Sequence, residues 1–141
     1  MANISATGLA RLIDQISRNT FNNAFHRNLN PAQWQCLRYF ERAGHRGRTV
    51  SEFAMAQGTT KGTASRTVSA LIGKGYLVKE TNPRDARSNL VRLTSDGAEL
   101  LKDDPLDRLA EVLERLESDQ QEALAESLSR VLVDMSGEPA E

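Results

Sequence analysis

Within about thirty residues the hydrophobic period of this chain changes from helical to strand-like. Ala64, Val68, Leu71 and Ile72 recur at i, i+4, i+7 and i+8, the stripe of an amphipathic helix running from about Lys61 to Lys74. Gly75 stops it. Tyr76-Leu77-Val78-Lys79-Glu80 and Leu90-Val91-Arg92-Leu93 then read as two short strands. The nine polar, turn-rich residues 81–89 between them are too many for a tight hairpin and should project as a loop. Upstream, a short helix capped by Thr49 or Ser51 turns Val50, Phe53 and Ala54 inward, and Gln57-Gly58-Thr59-Thr60 makes a turn. Two helices joined by a short turn and followed by a hairpin with a long basic tip predict a winged helix-turn-helix.

Helices flank this unit on both sides. Leu9, Leu12, Ile13 and Ile16, continued by Phe21 and Phe25, place a stripe on a helix over residues 5–25. Asn30 caps the next helix with Pro31 at its first position, and that helix carries Trp34, Leu37 and Phe40 to about Ala43-Gly44. After the strands, Thr94 or Ser95 caps a helix, and Asp104-Pro105 marks a restart with Asp104 as cap. Leu106, Leu109, Leu113 and Leu116 form one stripe. Ser118 with Gln121 reads as a capping box ahead of Leu124, Leu128, Val131, Leu132 and Met135. The expected architecture is mainly α with a small β-hairpin wing, in a single domain over 1–141. The lobe at 30–93 is the winged helix-turn-helix. The arms at 1–29 and 94–141 carry more apolar surface than such a lobe can cover, so they predict a homodimer.

Charge says which part meets a partner. The net charge is -1, but residues 38–93 hold eleven basic against four acidic residues, a net +7, while residues 94–141 carry a net -10. A basic middle beside an acidic tail is expected when one part of a chain faces a polyanion. The helix at 61–74 sharpens this. Opposite its apolar stripe lie Gly62, Ser65, Arg66, Ser69 and Gly73, nearly all small or polar, and the helix has no acidic residue. A major groove about 12 Å wide admits a helix whose face is not bulky. Arg66, Ser65, Ser69 and Thr63 can reach base edges, and Lys61 a phosphate or a base. Double-stranded DNA is therefore the expected partner.

Residues 30–101 resemble the MarR family of bacterial transcription regulators. The likeness rests on Thr49-Val50-Ser51-Glu52-Phe53-Ala54, on Gly62-Thr63-Ala64-Ser65-Arg66-Thr67-Val68, and above all on Asp85-Ala86-Arg87-Ser88 with Val91-Arg92-Leu93-Thr94 and Gly97, a D-x-R wing signature. The resemblance implies dimerisation through the first and last helices and, as the family's common mode, repression. It implies that Arg87 enters the minor groove, a role open also to Arg84 nearer the loop tip. Asp85 would then orient basic residues between wing and recognition helix, or cap the turn. Thr67 departs from the pattern, standing where members often carry a larger apolar residue. The family's ligands bind between the DNA-binding lobe and the dimerisation helices, which implies a small aromatic or anionic effector and points to Phe21, Phe25, His26, Trp34 and Phe40 as lining residues.

Other classes find little support. His26 and His45 lack a catalytic partner at a recognisable spacing, and no glycine-rich phosphate loop is present, so an enzyme is not expected. The spacing of Cys36, His26 and His45 fits no zinc pattern, and no cofactor or metal is implied. A single cysteine excludes an internal disulfide framework. Cys36 reads as a small buried hydrophobe, with redox sensing as the alternative. A winged-helix protein-interaction module is the other alternative, and it leaves the recognition face and basic wing unexplained. The longest apolar run is Phe53-Ala54-Met55-Ala56, and the first 25 residues lack the pattern of a secretory signal, so a soluble cytoplasmic protein is expected.

Overall fold

The computed structural model describes residues 3–137, which fall into two compact units with the boundary in the sequence after Pro105. Met1, Ala2 and residues 138–141, which close the expected 1–141 domain, lie outside the described residues.

The first unit begins with α1 (Ala6–Asn23), whose N-cap Ser5 accepts a hydrogen bond from the Gly8 N–H at 3.1 Å. The helix ends before Phe25 because the chain reverses over Arg27 and Asn28, both at positive φ, in a turn closed by the His26–Leu29 bridge. Lys74 Nζ donates to the Asn28 carbonyl at 2.5 Å and holds that turn. Helix α2 (Pro31–Ala43) starts on the expected cap, with Asn30 and Gln33 completing a capping box. A 3-10 turn (Gly44–Arg46) leads to α3 (Val50–Gln57) and α4 (Lys61–Gly73). Strands β1 (Leu77–Thr81) and β2 (Asn89–Leu93) pair antiparallel with Leu77 opposite Leu93 and Thr81 opposite Asn89. Helix α5 (Ser95–Leu100) and a 3-10 turn (Leu101–Asp103) close the unit.

One core holds these elements together. Trp34, Leu37 and Phe40 of α2 meet Phe53 of α3, Val68 and Leu71 of α4, Leu77 of β1 and Val91 of β2, all buried. Tyr39, Phe40 and Phe53 meet edge-on or tilted, with centroids 5.0–5.5 Å apart. Gly97 shows how tightly α5 seats: a Cβ there would lie 2.3 Å from the Tyr76 carbonyl oxygen. Leu100 and Leu101 join the same core, so the first unit extends past residue 93.

Two caps fall elsewhere than expected. The N-cap position of α6 (Asp107–Leu113) falls at Leu106, not at Asp104. Arg38 grips Asp104 with two hydrogen bonds, Nε to Oδ2 at 2.6 Å and Nη2 to Oδ1 at 2.5 Å. In the second unit α6 starts at Leu106, whose side chain makes no cap hydrogen bond. The next capping pair is Glu117 and Gln120, one residue earlier than Ser118 and Gln121, because the Gln121 amide donates to the Leu116 carbonyl at 2.9 Å. Helix α7 (Ser118–Ser136) follows.

The Arg38–Asp104 pair ties α2 to the end of the first unit, and the Asp104 side chain is only 9% exposed. Removing one partner of a fully buried charged pair costs about 3–5 kcal/mol, and less where the pair is half-buried, whereas apolar replacement of both is often neutral. Arg38→Ala should lower stability by about 1–2 kcal/mol in a denaturant titration. Arg38→Met with Asp104→Leu should recover most of that loss.

Candidate nucleic-acid interface

The helix-turn-helix is set by short-range capping. Thr49 caps α3 and accepts the Glu52 N–H at 3.1 Å, while the Glu52 carboxylate accepts the Thr49 N–H. Gly58 ends α3 in the left-handed region. Thr60 caps α4 by accepting the Thr63 N–H at 3.2 Å. Ala64, Val68 and Leu71 anchor α4 in the core, which turns Lys61, Gly62, Thr63, Ser65, Arg66, Ser69 and Gly73 outward, all exposed. A Cβ on Gly62 or Gly73 would meet nothing within 4 Å, so packing within the chain does not ask for glycine at either position. Glycine inside a helix costs up to about 1 kcal/mol relative to alanine. A face that close to bare backbone suits the approach of a groove wall. Thr67, the departure noted above, is half-buried and donates its hydroxyl to the Thr63 carbonyl at 3.3 Å, so it sits off this face.

The wing loop is organised by two side chains. Asn82 Oδ1 accepts the Arg84 N–H at 3.0 Å, and Asp85 Oδ1 accepts the Arg87 N–H at 3.0 Å. Main-chain bonds from Asp85 to Asn82 and from Ser88 to Asp85 complete two successive turns, and Asn82 Nδ2 donates to Ser88 Oγ across the loop base. Asp85 thus caps a turn, and makes no ion pair among the described residues. Arg84 and Arg87 project from this frame, exposed, without a side-chain partner among the described residues. Below the loop, Arg92 pairs with Glu80 across the two strands. The arrangement offers a slim helix face bearing one guanidinium and a braced loop bearing two.

Residues 27–88 match the MarR family. The chain is similar to MarR-family winged-helix regulators. A single-residue mutant of E. coli MarR complexed with operator DNA superposes with a TM-score of 0.69 at 25% identity, over 88% of this chain and 93% of that one. A probable transcriptional regulator from Pseudomonas aeruginosa gives 0.66 at 25% identity, over 90% of this chain and 96% of that one. The MepR–DNA complex of S. aureus gives 0.74 at 18% identity, over 94% and 98%, and shares the fold. No curated protein matches the chain in sequence.

The residues that the MarR resemblance pointed to as effector-lining are spread out. Trp34 and Phe40 are core residues, and the Trp34 Nε1–H is buried with no acceptor among the described residues. Phe40 borders a cavity of about 410 Å³ with His45 and Arg92. Phe25 borders another, of about 470 Å³, with Gln33 and Lys74. Phe21 meets Phe25 edge-on at 5.4 Å, both exposed. His26 stacks on Trp34 and reaches Asp103 at 3.0 Å, where Arg27 also binds at 3.2 Å. Cys36 is fully buried, and burial pushes its thiol up to about 12, which disfavours the reactive thiolate. Among the described residues no three metal-ligating side chains come together, and no helix is long and apolar enough to cross a membrane.

Sequence reasoning did not place Arg46 and Arg48 near the wing. They reach the wing through the Arg48–Val91 bridge, which no local spacing announces.

The turn frame at Asp85 makes a sharp prediction. Asparagine keeps the accepting oxygen and drops the charge. Asp85→Asn should bind duplex DNA as well as the parent, and Asp85→Ala should bind about 3- to 10-fold more weakly, since a lost turn cap is worth about 1 kcal/mol. Titration of the two variants with labelled duplex checks this. Equal losses would mean the carboxylate acts through its charge.

Proposed function

We propose that the protein reads duplex DNA as a homodimer and represses transcription from a pseudo-palindromic site. The exposed face of α4, small at Gly62, Ser65 and Ser69 with Arg66 among them, carries this reading. Lys61 and Thr63 add contacts at the start of that helix. Arg87 is assigned to the minor groove and Arg84 to the flanking backbone. Such a division follows from geometry: a helix fits the major groove, and a narrow minor groove attracts arginine. The operator complex of the E. coli relative and the MepR–DNA complex support it by fold.

The homodimer is proposed from apolar surface. Helix α1 buries none of its residues, and Leu9, Leu12, Ile13 and Ile16 form a continuous exposed stripe. In the second unit α6 and α7 also bury none, leaving Val112, Leu128, Val131 and Leu132 exposed. Release of DNA by a small aromatic or anionic effector completes the proposal, and the cavity that Phe40 borders is the assigned place. The setting is cytoplasmic, where duplex DNA is available to a bacterial regulator.

Selection from a random duplex library followed by gel shift tests the reading. Enrichment of an inverted repeat, with affinity falling steeply as salt rises, is the expected result. Failure to retard any duplex at low salt would overturn it.

A further inference from the structure

Arg46, Arg48 and Arg84 line one cavity of about 510 Å³ at the foot of the wing, with Gly47, Glu52 and Leu90. The three cations come from different segments, and the fold fixes where they meet. Arg48 exchanges main-chain bonds with Val91 at 3.1 and 2.7 Å, which makes a third rudimentary strand beside β2. Gly47, at φ 72°, lies so close to that strand that a Cβ would sit 2.7 Å from the Val91 oxygen. Arg46 and Arg48 therefore leave from a ledge that cannot move independently of the wing.

Their charge is not balanced within the cavity. Glu52 is the one acidic lining residue, and it lies 3.6 Å from Arg48 Nε. Arg48 Nη1 also donates to the Gly47 carbonyl at 3.1 Å. Arg46 and Arg84 have no hydrogen-bonding or ionic partner for their guanidiniums among the described residues. Two uncompensated cations held around one hollow repel each other and are relieved by an anion. A guanidinium fork matches two oxygens of a phosphate group.

We propose that this cavity is an oxyanion site that takes a backbone phosphate of the bound duplex, gripped by Arg46 and Arg84 while Glu52 and Gly47 hold Arg48 in place. The inference rests on the DNA-binding reading and adds to it a contact outside α4 and the wing tip. The duplex is the source of the oxyanion because Arg84 shares its loop with Arg87: a wing that enters a minor groove carries Arg84 alongside the flanking phosphodiesters.

Arg46→Gln tests the site, since the side chain is exposed and bound to nothing in the fold. The probes are the duplex recovered by selection, a scrambled duplex of equal length, and a set of the former with single phosphates replaced by methylphosphonate. The variant should melt with the parent and lose affinity about tenfold on both natural duplexes, with a salt slope shallower by about one unit. One methylphosphonate should weaken the parent to a similar extent and leave the variant unchanged. Unaltered affinity and slope, or methylphosphonate penalties that all add to the substitution, would overturn the phosphate site. So would millimolar inorganic phosphate competing for Arg46 far beyond chloride of equal ionic strength, which would assign the cavity to a free anion. If the parent itself binds no duplex, the DNA reading falls first; if it binds and Arg46→Gln matches it, only this site falls.

Discussion

Ile13→Glu is expected to convert the protein into a folded monomer that retains duplex DNA at least about 100-fold more weakly, because linking two sites contributes that much through effective concentration. The side chain is 47% exposed in the protomer, so glutamate there disturbs little of the fold. In the proposed dimer it faces apolar neighbours. Each Leu or Ile fully buried contributes about 1.5–3 kcal/mol, and two-fold symmetry counts every residue twice. A buried unpaired carboxylate reverses that gain. Sedimentation at micromolar concentration with a far-ultraviolet spectrum reads both halves of the prediction. A dimer as stable as the parent would place the interface elsewhere.

Arg66→Ala and Arg87→Ala are expected to fail in different ways. Arg66 stands on the α4 face among small residues, where a bidentate bond to a guanine discriminates by about 1–3 kcal/mol. Its loss should weaken the selected duplex about 10- to 100-fold and flatten the ranking of single-base variants. Arg87 reaches only minor groove or backbone, where readout is degenerate. Its loss should weaken all variants more evenly and reduce the salt slope. Both side chains are exposed, so melting should not change. Binding of each mutant to the duplex and its point variants at two salt concentrations measures the difference. An intact ranking after Arg66→Ala, with a scrambled one after Arg87→Ala, would reverse the assignment.

What the sequence made legible was whatever depends on near neighbours. The stripe Ala64, Val68, Leu71 placed α4 and its outward face, and Asn30, Thr49 and Thr94 capped the helices they precede. The strands start and end within a residue of their hydrophobic runs. What depends on distant partners was hidden. Asp104 beside Pro105 has every local mark of a cap, yet Arg38, 66 residues earlier, claims its carboxylate. Of the residues that the MarR resemblance pointed to as effector-lining, Trp34 and Phe40 fill the core whereas Phe21 and Phe25 are exposed. Arg46 and Arg48 read as ordinary surface charge until the Val91 bridge sets them beside the wing. For Asp85 the MarR resemblance left an orienting role and a turn cap both open, and the bond that its side chain accepts from the Arg87 N–H makes it a turn cap.

Hydroxyl-radical footprinting of the parent protein on the selected duplex addresses the central claim most directly. Two protected segments are predicted, related by a dyad and centred about one helical turn, roughly 34 Å, apart, with the minor groove covered at their outer edges. Protection should fade together at both segments as salt rises. A single protected half-site, or a footprint indifferent to salt, would contradict a dimer that reads DNA with α4 and the wing.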